Sequence, residues 1–216
     1  MRENPLLMNG PMVRAVLAGN KTQTRRIAKN VVDVHARTGE PLAGLDSAGP
    51  RVPCPYGQVG DLLWVRETWA PDPPADGTWA YTSWAGCKGS KLMDIPERYR
   101  TPDHCMFAAD YPLDAKRWVW KPSIHMPRWA CRILLEVTGV RVERLQDISN
   151  ADCWAEGIEE VDGTLDPLKI CELAKRMGRC IDDPSPTFAA LWESISGPGS
   201  WDANPWVWVI EFRRIT

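Results

Sequence analysis

Residues 11–27 have the sequence PMVRAVLAGNKTQTRRI, and this stretch predicts a helix that leads directly into a strand. Its apolar residues recur at the spacing of a helix with one buried face, and they are Met12, Val13, Val16 and Leu17. A proline suits the first helical turn, and Gly19 with Asn20 forms a good helix end. The Thr-rich segment from Lys21 to Ile27 then predicts a short strand or an extended segment.

Further strand and helix patterns are spread over the rest of the chain. Strand patterns occur at 62–69, within 130–145 and at 205–212. Helical patterns occur at 149–156, 165–178 and 186–196. The last strand, PWVWVIEF, has apolar residues on both faces, which predicts a central position in its sheet. Because strands so distant in sequence must pair around one core, we expect an α+β fold, with a small mixed β-barrel flanked by helices.

The length and the turn signals bear on domain organisation. A chain of 216 residues forms one domain, or one domain with a large insertion. Between residues 71 and 105, clusters of Pro, Gly and Asp alternate with short aromatic pieces, which is typical of an insertion that contains a hairpin. We therefore expect a single domain over 1–216, with a Trp- and Pro-rich insertion at about 70–128.

The composition excludes several classes of protein. Hydrophobic residues make up 44% and charged residues 25% of the chain, so it is not a collagen, a coiled coil or a wholly disordered chain. No run approaches the roughly 18 apolar residues of a spanning helix. The N-terminus has no signal-peptide pattern, so we expect a cytoplasmic protein with no membrane partner. The net charge of −2 argues against coating duplex nucleic acid, but it allows a nucleoside or a short single strand in a local pocket.

Two residue types are used in unusual ways. Twelve Trp against three Phe and four Tyr suit both half-buried cores and base-stacking walls, and we assign most of them to cores. Seven Cys is an odd number, and none forms a CxxC pair, so a complete disulfide framework is not expected. The adjacent pair His104 and Cys105 is too weak a motif for a metal site, and we expect no metal and no cofactor.

Lys21 and Thr24 are the first candidates for chemistry. Strict strand alternation places these two residues on opposite faces. They converge only if the helix exit at Gly19 and Asn20 twists Lys21 out of register. The alternative is a solvated basic strand edge whose hydroxyl is satisfied locally.

Two glutamates are further candidates. Glu156 ends the helix that begins near Ser149, and Gly157 follows it, so its carboxylate can lean into a neighbouring cleft or simply cap the helix. Glu67 lies inside an aromatic strand between Arg66 and Thr68. A carboxylate there must be paired, and a buried Arg–Glu pair is as good an interpretation as a functional group.

Residues 118–129, WVWKPSIHMPRW, interleave aromatic residues with cations. A nucleobase or a single-stranded nucleic acid needs this combination, because it offers stacking together with phosphate contacts. The candidate contacts in this segment are Trp120, Lys121, Ser123, His125 and Arg128. For His125, a core histidine with a backbone partner is the alternative.

The segment AVLAGNKTQTRR at 15–26 resembles the opening signature of the ASCH family, small PUA-like barrels whose motif is a helix followed by Gly, x, Lys, Thr, x, Thr, x, Arg. The likeness continues through four further places in the chain. These are Gly60-Asp61 before a strand, the strand at 134–141, Ala155-Glu156-Gly157 after a helix, and VIEF at 209–212. GDLLWVRETW at 60–69 with KPSIHMPRWA at 121–130 further resembles the longer ASCH-like proteins of phages and prophages.

The resemblance implies a cleft for RNA or nucleosides. One bacterial branch of the family is an amidohydrolase that removes the acetyl group from N4-acetylcytidine, and its active residues carry over to Lys21, Thr24 and Glu156. A neutral lysine in that site takes the proton of the threonine hydroxyl, and the glutamate protonates the departing amine or later activates water. No metal is required. Thr24 either attacks directly or positions a water molecule.

Other features of the family leave the reaction open. Some members bind or cleave single-stranded RNA, and the insertion could serve protein contacts in a phage accessory protein, with partners that the sequence does not identify. Residues that could clamp a base or a phosphate are Arg25, Arg26, Trp64, Arg66, Glu67, Trp120 and Arg128. Arg25 stands where shorter members have a small or apolar residue, and it adds a candidate phosphate contact.

Overall fold

The computed structural model describes residues 1–29, 45–46, 49–50, 53–72, 92, 95–111, 119–159 and 163–216. The strands in these parts are β1 (Glu3–Leu7), β2 (Gln23–Ile27), β3 (Leu45–Asp46), β4 (Gly49–Pro50), β5 (Leu62–Arg66), β6 (Trp69–Pro71), β7 (Cys105–Phe107), β8 (Leu134–Arg144) and β9 (Trp206–Arg214). The α-helices in these parts are α1 (Gly10–Ala18), α2 (Asn150–Ala155), α3 (Pro167–Met177) and α4 (Pro184–Ser196). Helices and strands are largely segregated along the chain, so the fold is α+β, as predicted.

Five of the described strands form one mixed sheet in the order β1-β5-β8-β9-β2. β1 runs parallel to β5, and the other neighbours are antiparallel. Within the described residues the outer strands β1 and β2 do not pair with each other, so these strands do not form a closed barrel. The Arg26 guanidinium of β2 nevertheless donates a hydrogen bond to the Leu7 carbonyl of β1 at 2.7 Å and links the two edges.

The C-terminal strand lies in the interior of the sheet, as its sequence predicts. β9 is hydrogen-bonded to β8 on one side and to β2 on the other. Its four consecutive residues Val207–Ile210 are all 0% exposed, so both faces of the strand are covered. A strand with no polar face is stable only in such a position.

The first helix and the second strand form as the sequence predicts. The Asn9 side chain caps α1 by accepting from the Met12 backbone N–H at 3.0 Å. Gly19 ends the helix in the left-handed conformation with φ of 84°. Strand β2 begins only at Gln23, so Lys21 precedes the strand and is not bound by its alternation.

Strand β8 is one long strand within the predicted region 130–145, with an irregularity at Gly139. Its register against β9 shifts between Val137 and Gly139. A Cβ atom added at Gly139 would lie 2.5 Å from a carboxylate oxygen of Glu211, so a larger residue there would force the Glu211 side chain to move. The bulge thus sets which β8 residues face the same side as the Glu211 carboxylate.

Strands β6 and β7 pair antiparallel as a small two-stranded sheet within the predicted insertion. They enclose a separate apolar cluster made of Trp69, Phe107, Met126, Ala130 and Cys131. Residues 73–91, 93–94 and 112–118 of that segment, including the aromatic piece at 79–81, lie outside the described residues. No helix within the described ranges is long and apolar enough to cross a membrane.

Candidate functional site

Lys21 and Glu156 form a buried ion pair where α1, α2 and β2 meet. The Lys21 Nζ donates to the Glu156 Oε2 at 2.7 Å and to the Glu156 carbonyl at 2.8 Å. The Lys21 side chain is 0% exposed and that of Glu156 is 4% exposed. The backbone fixes this approach, because Lys21 and Glu156 also form an isolated β-bridge.

Gly157 allows the elements that carry this pair to come so close together. Its φ of +77° is in the left-handed region, which disfavours other residues. An added Cβ atom would lie 2.7 Å from the Cβ of Ala15 and 2.9 Å from that of Lys21. The short helix α2 is fixed at its other end by Ser149, whose side chain accepts from the Asp152 backbone N–H at 3.1 Å. Glu156 is thus held firmly at the end of α2.

Arg25 supports the second oxygen of the same carboxylate. Its Nη1 donates to Glu156 Oε1 at 3.0 Å, while its Nε and Nη2 donate to Glu143 Oε1 at 3.0 and 2.5 Å. Its Nη2 also lies 3.3 Å from Asp152 Oδ2, and the side chain is fully buried. The sequence-based expectation made Arg25 a phosphate contact, whereas here three protein carboxylates already surround its guanidinium.

A second layer of charges surrounds this group. Arg141 bonds Glu143 at 3.0 Å and Asp152 at 3.2 Å, and it also bonds Glu211. Gln23 donates to the carbonyl and to the carboxylate of Asp152, both at 2.8 Å. We call the following seven residues the charge network: Lys21, Arg25, Arg141, Glu143, Asp152, Glu156 and Glu211. Its three cations and four carboxylates nearly balance, and three of the seven side chains, those of Lys21, Arg25 and Glu156, are buried, which requires such pairing.

Four members of the network were not predicted from the sequence, and they are Arg141, Glu143, Asp152 and Glu211. The available signal was the spacing of Arg141 and Glu143, which are two residues apart in a strand and therefore on one face. Their partners lie on other elements, and only the folded sheet brings them together.

Three members of the network have shifted pKa values. The pKa of Arg141 is raised, because burial is outweighed by its contacts with Glu143, Asp152 and Glu211. Burial lowers the pKa of the Lys21 ammonium below its usual value, and the adjacent Glu156 carboxylate opposes this effect. For Asp152, burial alone would raise the pKa. Hydrogen bonds from Gln23 and Ser149, together with the nearby Arg25 and Arg141, outweigh burial and lower it.

A cavity of about 210 Å³ opens on one side of the network. Its polar wall consists of Thr24, Arg25, Arg26, Lys29 and Glu156. Its other wall is mainly apolar and aromatic, and consists of Met12, Ile27, Tyr56, Phe188, Leu191, Trp192, Ile195 and Ser196. The Thr24 side chain has no hydrogen bond to a described residue. A few polar groups within a mainly apolar and aromatic lining are the usual construction of a small-molecule site.

Among the three candidate catalytic residues, Thr24 and Glu156 line the cavity and Lys21 does not. Lys21 lies behind Glu156, where its ammonium is enclosed by protein. Lys21 therefore contacts a residue of the cavity wall, Glu156, without lining the cavity itself.

The binding candidates Arg25 and Arg26 also line the cavity. The remaining candidates lie on β5, directly after it and on residues 119–129, and none of these lines the cavity. The Arg66 guanidinium lies over the Trp64 ring at 5.2 Å from its centroid and bonds the Ile124 carbonyl. Glu67 is buried and receives two hydrogen bonds from Arg132, at 2.9 and 3.0 Å. Glu67 therefore follows the structural alternative of a buried Arg–Glu pair, and burial still raises its pKa, which Arg132 opposes.

The remaining candidates are distributed around a pair of short turns. The half-buried Trp120 packs against Tyr111, with ring centroids 6.3 Å apart. Lys121 exchanges backbone hydrogen bonds with Trp69 at 2.8 and 3.2 Å. Ser123 and His125 bound a 3₁₀ turn in which His125 is exposed, so His125 is not a core histidine.

Arg128 is exposed and bonds Glu3 at 2.7 Å, which ties this segment to β1. Trp118 lies outside the described residues. Among the described residues, no group of three or more His, Cys, Asp or Glu side chains is placed to hold a metal ion.

No protein-family model, no curated protein and no solved structure matches the chain.

Proposed function

We propose that the protein is a hydrolase that acts on a nucleoside or on RNA, and most concretely on the amide bond of an N4-acylated cytidine. The observation that carries this proposal is the shared cavity of Thr24 and Glu156, with the carboxylate held from behind by Lys21 and Arg25. A hydroxyl and a fixed carboxylate at one cavity wall are the minimum for acyl transfer. The resemblance to the ASCH amidohydrolases supports the substrate class.

The geometry favours a particular division of roles. Both oxygens of Glu156 accept charge-assisted hydrogen bonds, so the carboxylate is held in a fixed orientation at the cavity wall. In the proposed scheme it takes the proton of the attacking hydroxyl. The oxygen of Thr24, or of a water molecule that Thr24 positions, then bonds to the acyl carbon. The C–N bond breaks, and the proton on Glu156 passes to the leaving amine of cytidine. Where Thr24 attacks, water cleaves the resulting ester and releases the carboxylic acid.

Lys21 is a positioning residue in this scheme. Its lowered pKa lets it share a proton with Glu156 across 2.7 Å, but it reaches the substrate only through that carboxylate. The expectation that a neutral lysine directly activates Thr24 is thus replaced by a proposal in which Glu156 moves the proton.

The size of the cavity fits one base. A cavity of about 150 Å³ is enough to hold benzene. The cavity of about 210 Å³ therefore has room for one six-membered ring with a small substituent. It is smaller than the roughly 300–1,000 Å³ of sites for drug-sized ligands, which favours a single base over a stretch of polynucleotide.

We further propose that the five-stranded sheet belongs to a PUA-like barrel. The Arg26 hydrogen bond to Leu7 supports this, because it links the two outer strands that a barrel has to bring together. The parallel edge pair β1–β5 gives the sheet its mixed character.

The test is turnover of N4-acetylcytidine by the purified protein, followed by chromatography of cytidine. We expect Thr24→Val and Glu156→Gln to lower kcat by at least about 100-fold, because each removes a group that takes part in the reaction. Thr22→Val is the matched control, since Thr22 is exposed and two residues away. Thr24→Ser retains activity if its hydroxyl attacks or positions water. Absence of turnover by folded wild-type protein would sink the proposal.

A second function is favoured by a different surface. The exposed or half-buried residues of 119–129, together with Trp64 and Arg66, combine aromatic rings and cations outside the cavity. Such a surface suits single-stranded RNA, whether bound only or also cleaved. Fluorescence anisotropy with a labelled single strand tests this. Binding that weakens steeply with salt and falls in Arg66→Gln and Arg128→Gln would support it.

A further inference from the structure

Arg26 is a cation of the cavity wall that no described carboxylate neutralises. Its one hydrogen bond to a described residue goes to the backbone carbonyl of Leu7. Its Nε–H is buried and has no partner. A guanidinium in this situation costs free energy, because a buried donor without an acceptor has lost its hydration.

The network carboxylate that lines the cavity, Glu156, already accepts hydrogen bonds from two other cations. Lys21 donates to one of its oxygens and Arg25 donates to the other. Burial lowers the pKa of the Arg26 guanidinium, and only Tyr56 and Glu156 oppose this. Lys29 is an exposed second cation on the same wall. The described carboxylates therefore do not balance the positive charges of Arg26 and Lys29 on this wall.

A second unpaired donor belongs to another residue that lines the same cavity. Trp192 is 7% exposed and lines the cavity, and its Nε1–H is buried without a partner. Most buried indole N–H groups do find an acceptor. Two residues that line one cavity thus carry donors that the described protein leaves unpaired, and this favours a ligand that brings acceptor atoms and negative charge.

We propose that the protein binds a nucleoside monophosphate, either free or at the end of an RNA strand, with the base in the cavity, the phosphate held by Arg26 and the exposed Lys29, and Trp192 donating to an acceptor atom of the ligand. This inference rests on the proposed function for its nucleoside part. Phosphate is the group that adds negative charge to a nucleoside. Arginine suits it, because its planar guanidinium presents several donors to phosphate oxygens. The aromatic wall then faces the base.

The test is isothermal titration calorimetry with cytidine, cytidine 5′-monophosphate and inorganic phosphate. We expect the monophosphate to bind wild-type protein at least 10-fold more tightly than cytidine, with a ratio that falls as salt increases. We expect Arg26→Gln to bring this ratio of affinities for the monophosphate and for cytidine close to one, and Arg26→Lys to retain most of the difference. Arg214→Gln is the matched control, because Arg214 also donates to a backbone carbonyl, that of Leu17, but lies outside the cavity.

Trp192→Phe keeps a ring at the wall and removes the N–H group. We expect it to weaken binding of both cytidine compounds by 3- to 10-fold, whereas Trp201→Phe, at a buried residue that does not line the cavity, leaves binding unchanged. Equal affinity of wild-type protein for cytidine and its monophosphate, or a ratio that survives Arg26→Gln, overturns the proposal. Absence of binding by all three probes overturns it as well.

Two further comparisons complete the test. The first shows whether the phosphate belongs to a free nucleotide or to an RNA end, and the second distinguishes failure of the phosphate subsite from failure of the proposed reaction. In the first, short single strands with and without a 5′-phosphate replace the mononucleotides. If the phosphate increases affinity only in the strands, the subsite is assigned to RNA ends. A protein that shows the phosphate ratio but never hydrolyses N4-acetylcytidine keeps this subsite and loses the proposed reaction. Turnover of N4-acetylcytidine by a protein that binds cytidine and its monophosphate equally tightly keeps the proposed reaction and overturns the phosphate subsite.

Discussion

Replacing Lys21 by methionine removes the cation that holds the buried Glu156 carboxylate. Methionine has a similar length and no charge, so the change deletes the ammonium with little loss of volume. The ammonium makes two hydrogen bonds to Glu156, at 2.7 and 2.8 Å. Its loss leaves Glu156 with Arg25 as its remaining hydrogen-bonded cation among the described residues.

The expected cost follows from the burial of the pair. Removing one partner of a buried, hydrogen-bonded ion pair costs about 3–5 kcal/mol, because the other charge stays behind without compensation. Since Arg25 still donates to Glu156 at 3.0 Å, we expect the lower end, about 3 kcal/mol. The urea dependence of a chain of this size is near the upper end of about 1–3 kcal/mol per M, so the unfolding midpoint falls by about 1 M.

The assay is equilibrium urea unfolding, and the chain offers a control with the same geometry at the surface. Arg213 and Glu136 are also 2.7 Å apart, but their side chains are 68% and 29% exposed. Arg213→Met should cost less than about 1 kcal/mol, as exposed ion pairs do. In the double variant Lys21→Met/Glu156→Gln, the loss should be smaller than the sum of the two single losses.

One outcome would refute this reasoning. If Lys21→Met costs no more than Arg213→Met at an unchanged urea slope, burial does not determine the strength of the pair. Strictly additive losses in the Lys21 and Glu156 variants would likewise show that the two side chains do not interact in solution.

Two other predictions concern the same region. Gly157→Ala should destabilise the protein by at least about 2 kcal/mol, because the new methyl group meets Ala15 and Lys21, whereas Gly178→Ala, with φ of +64° and open space around it, should cost about 1 kcal/mol from backbone strain alone. Thermal unfolding of both variants measures the difference, and equal losses would contradict the close approach. For Asp152, whose pKa is lowered in the fold, the stabilisation is fully present above the unfolded-state pKa of about 3.8 and is lost as the pH falls through the folded-state value. The stability difference between wild type and Asp152→Asn, measured by urea unfolding from pH 7 down to pH 2.5, should therefore shrink only below about pH 4, and a constant difference over that range would count against the assigned interactions.

Local sequence signals predicted the elements that carry the site. The α1–β2 unit, the short helix that ends at Glu156 and the central position of β9 all follow from signals within a few residues: caps, a helix-ending glycine and an apolar pattern on both faces. Such signals act through neighbouring backbone groups, so they are visible without knowledge of the fold.

Strand β1 was missed for a local reason. It is short and contains Pro5, which cannot donate a backbone hydrogen bond and so weakens any strand pattern. The strand forms at the edge of the sheet, where such a residue is tolerated. Its parallel pairing with β5 depends on residues about 60 positions away.

The aromatic and basic residues of 119–129 show another limit of sequence reasoning. Their density indicated a nucleic-acid contact, and Thr24 and Glu156 indicated a catalytic site, which suggested one common cleft. In the structure the 119–129 segment packs against strands β6 and β7, whereas Thr24 lines the cavity together with residues of α4. Composition gives the chemical character of a segment but not its neighbours.

By itself the sequence determined which side chains are available and the local elements that carry them, because capping, helix-ending glycines and apolar periodicity operate over a few residues. Only the tertiary structure decided that Lys21 lies behind Glu156, that Arg25 is held by Glu143 and Asp152, and that Arg26 remains without a described carboxylate partner. The Lys21–Glu156 and Arg25–Glu143 pairs join residues more than 100 positions apart in the chain. The energy of a charge depends on which other charges and how much water surround it, and folding alone sets both.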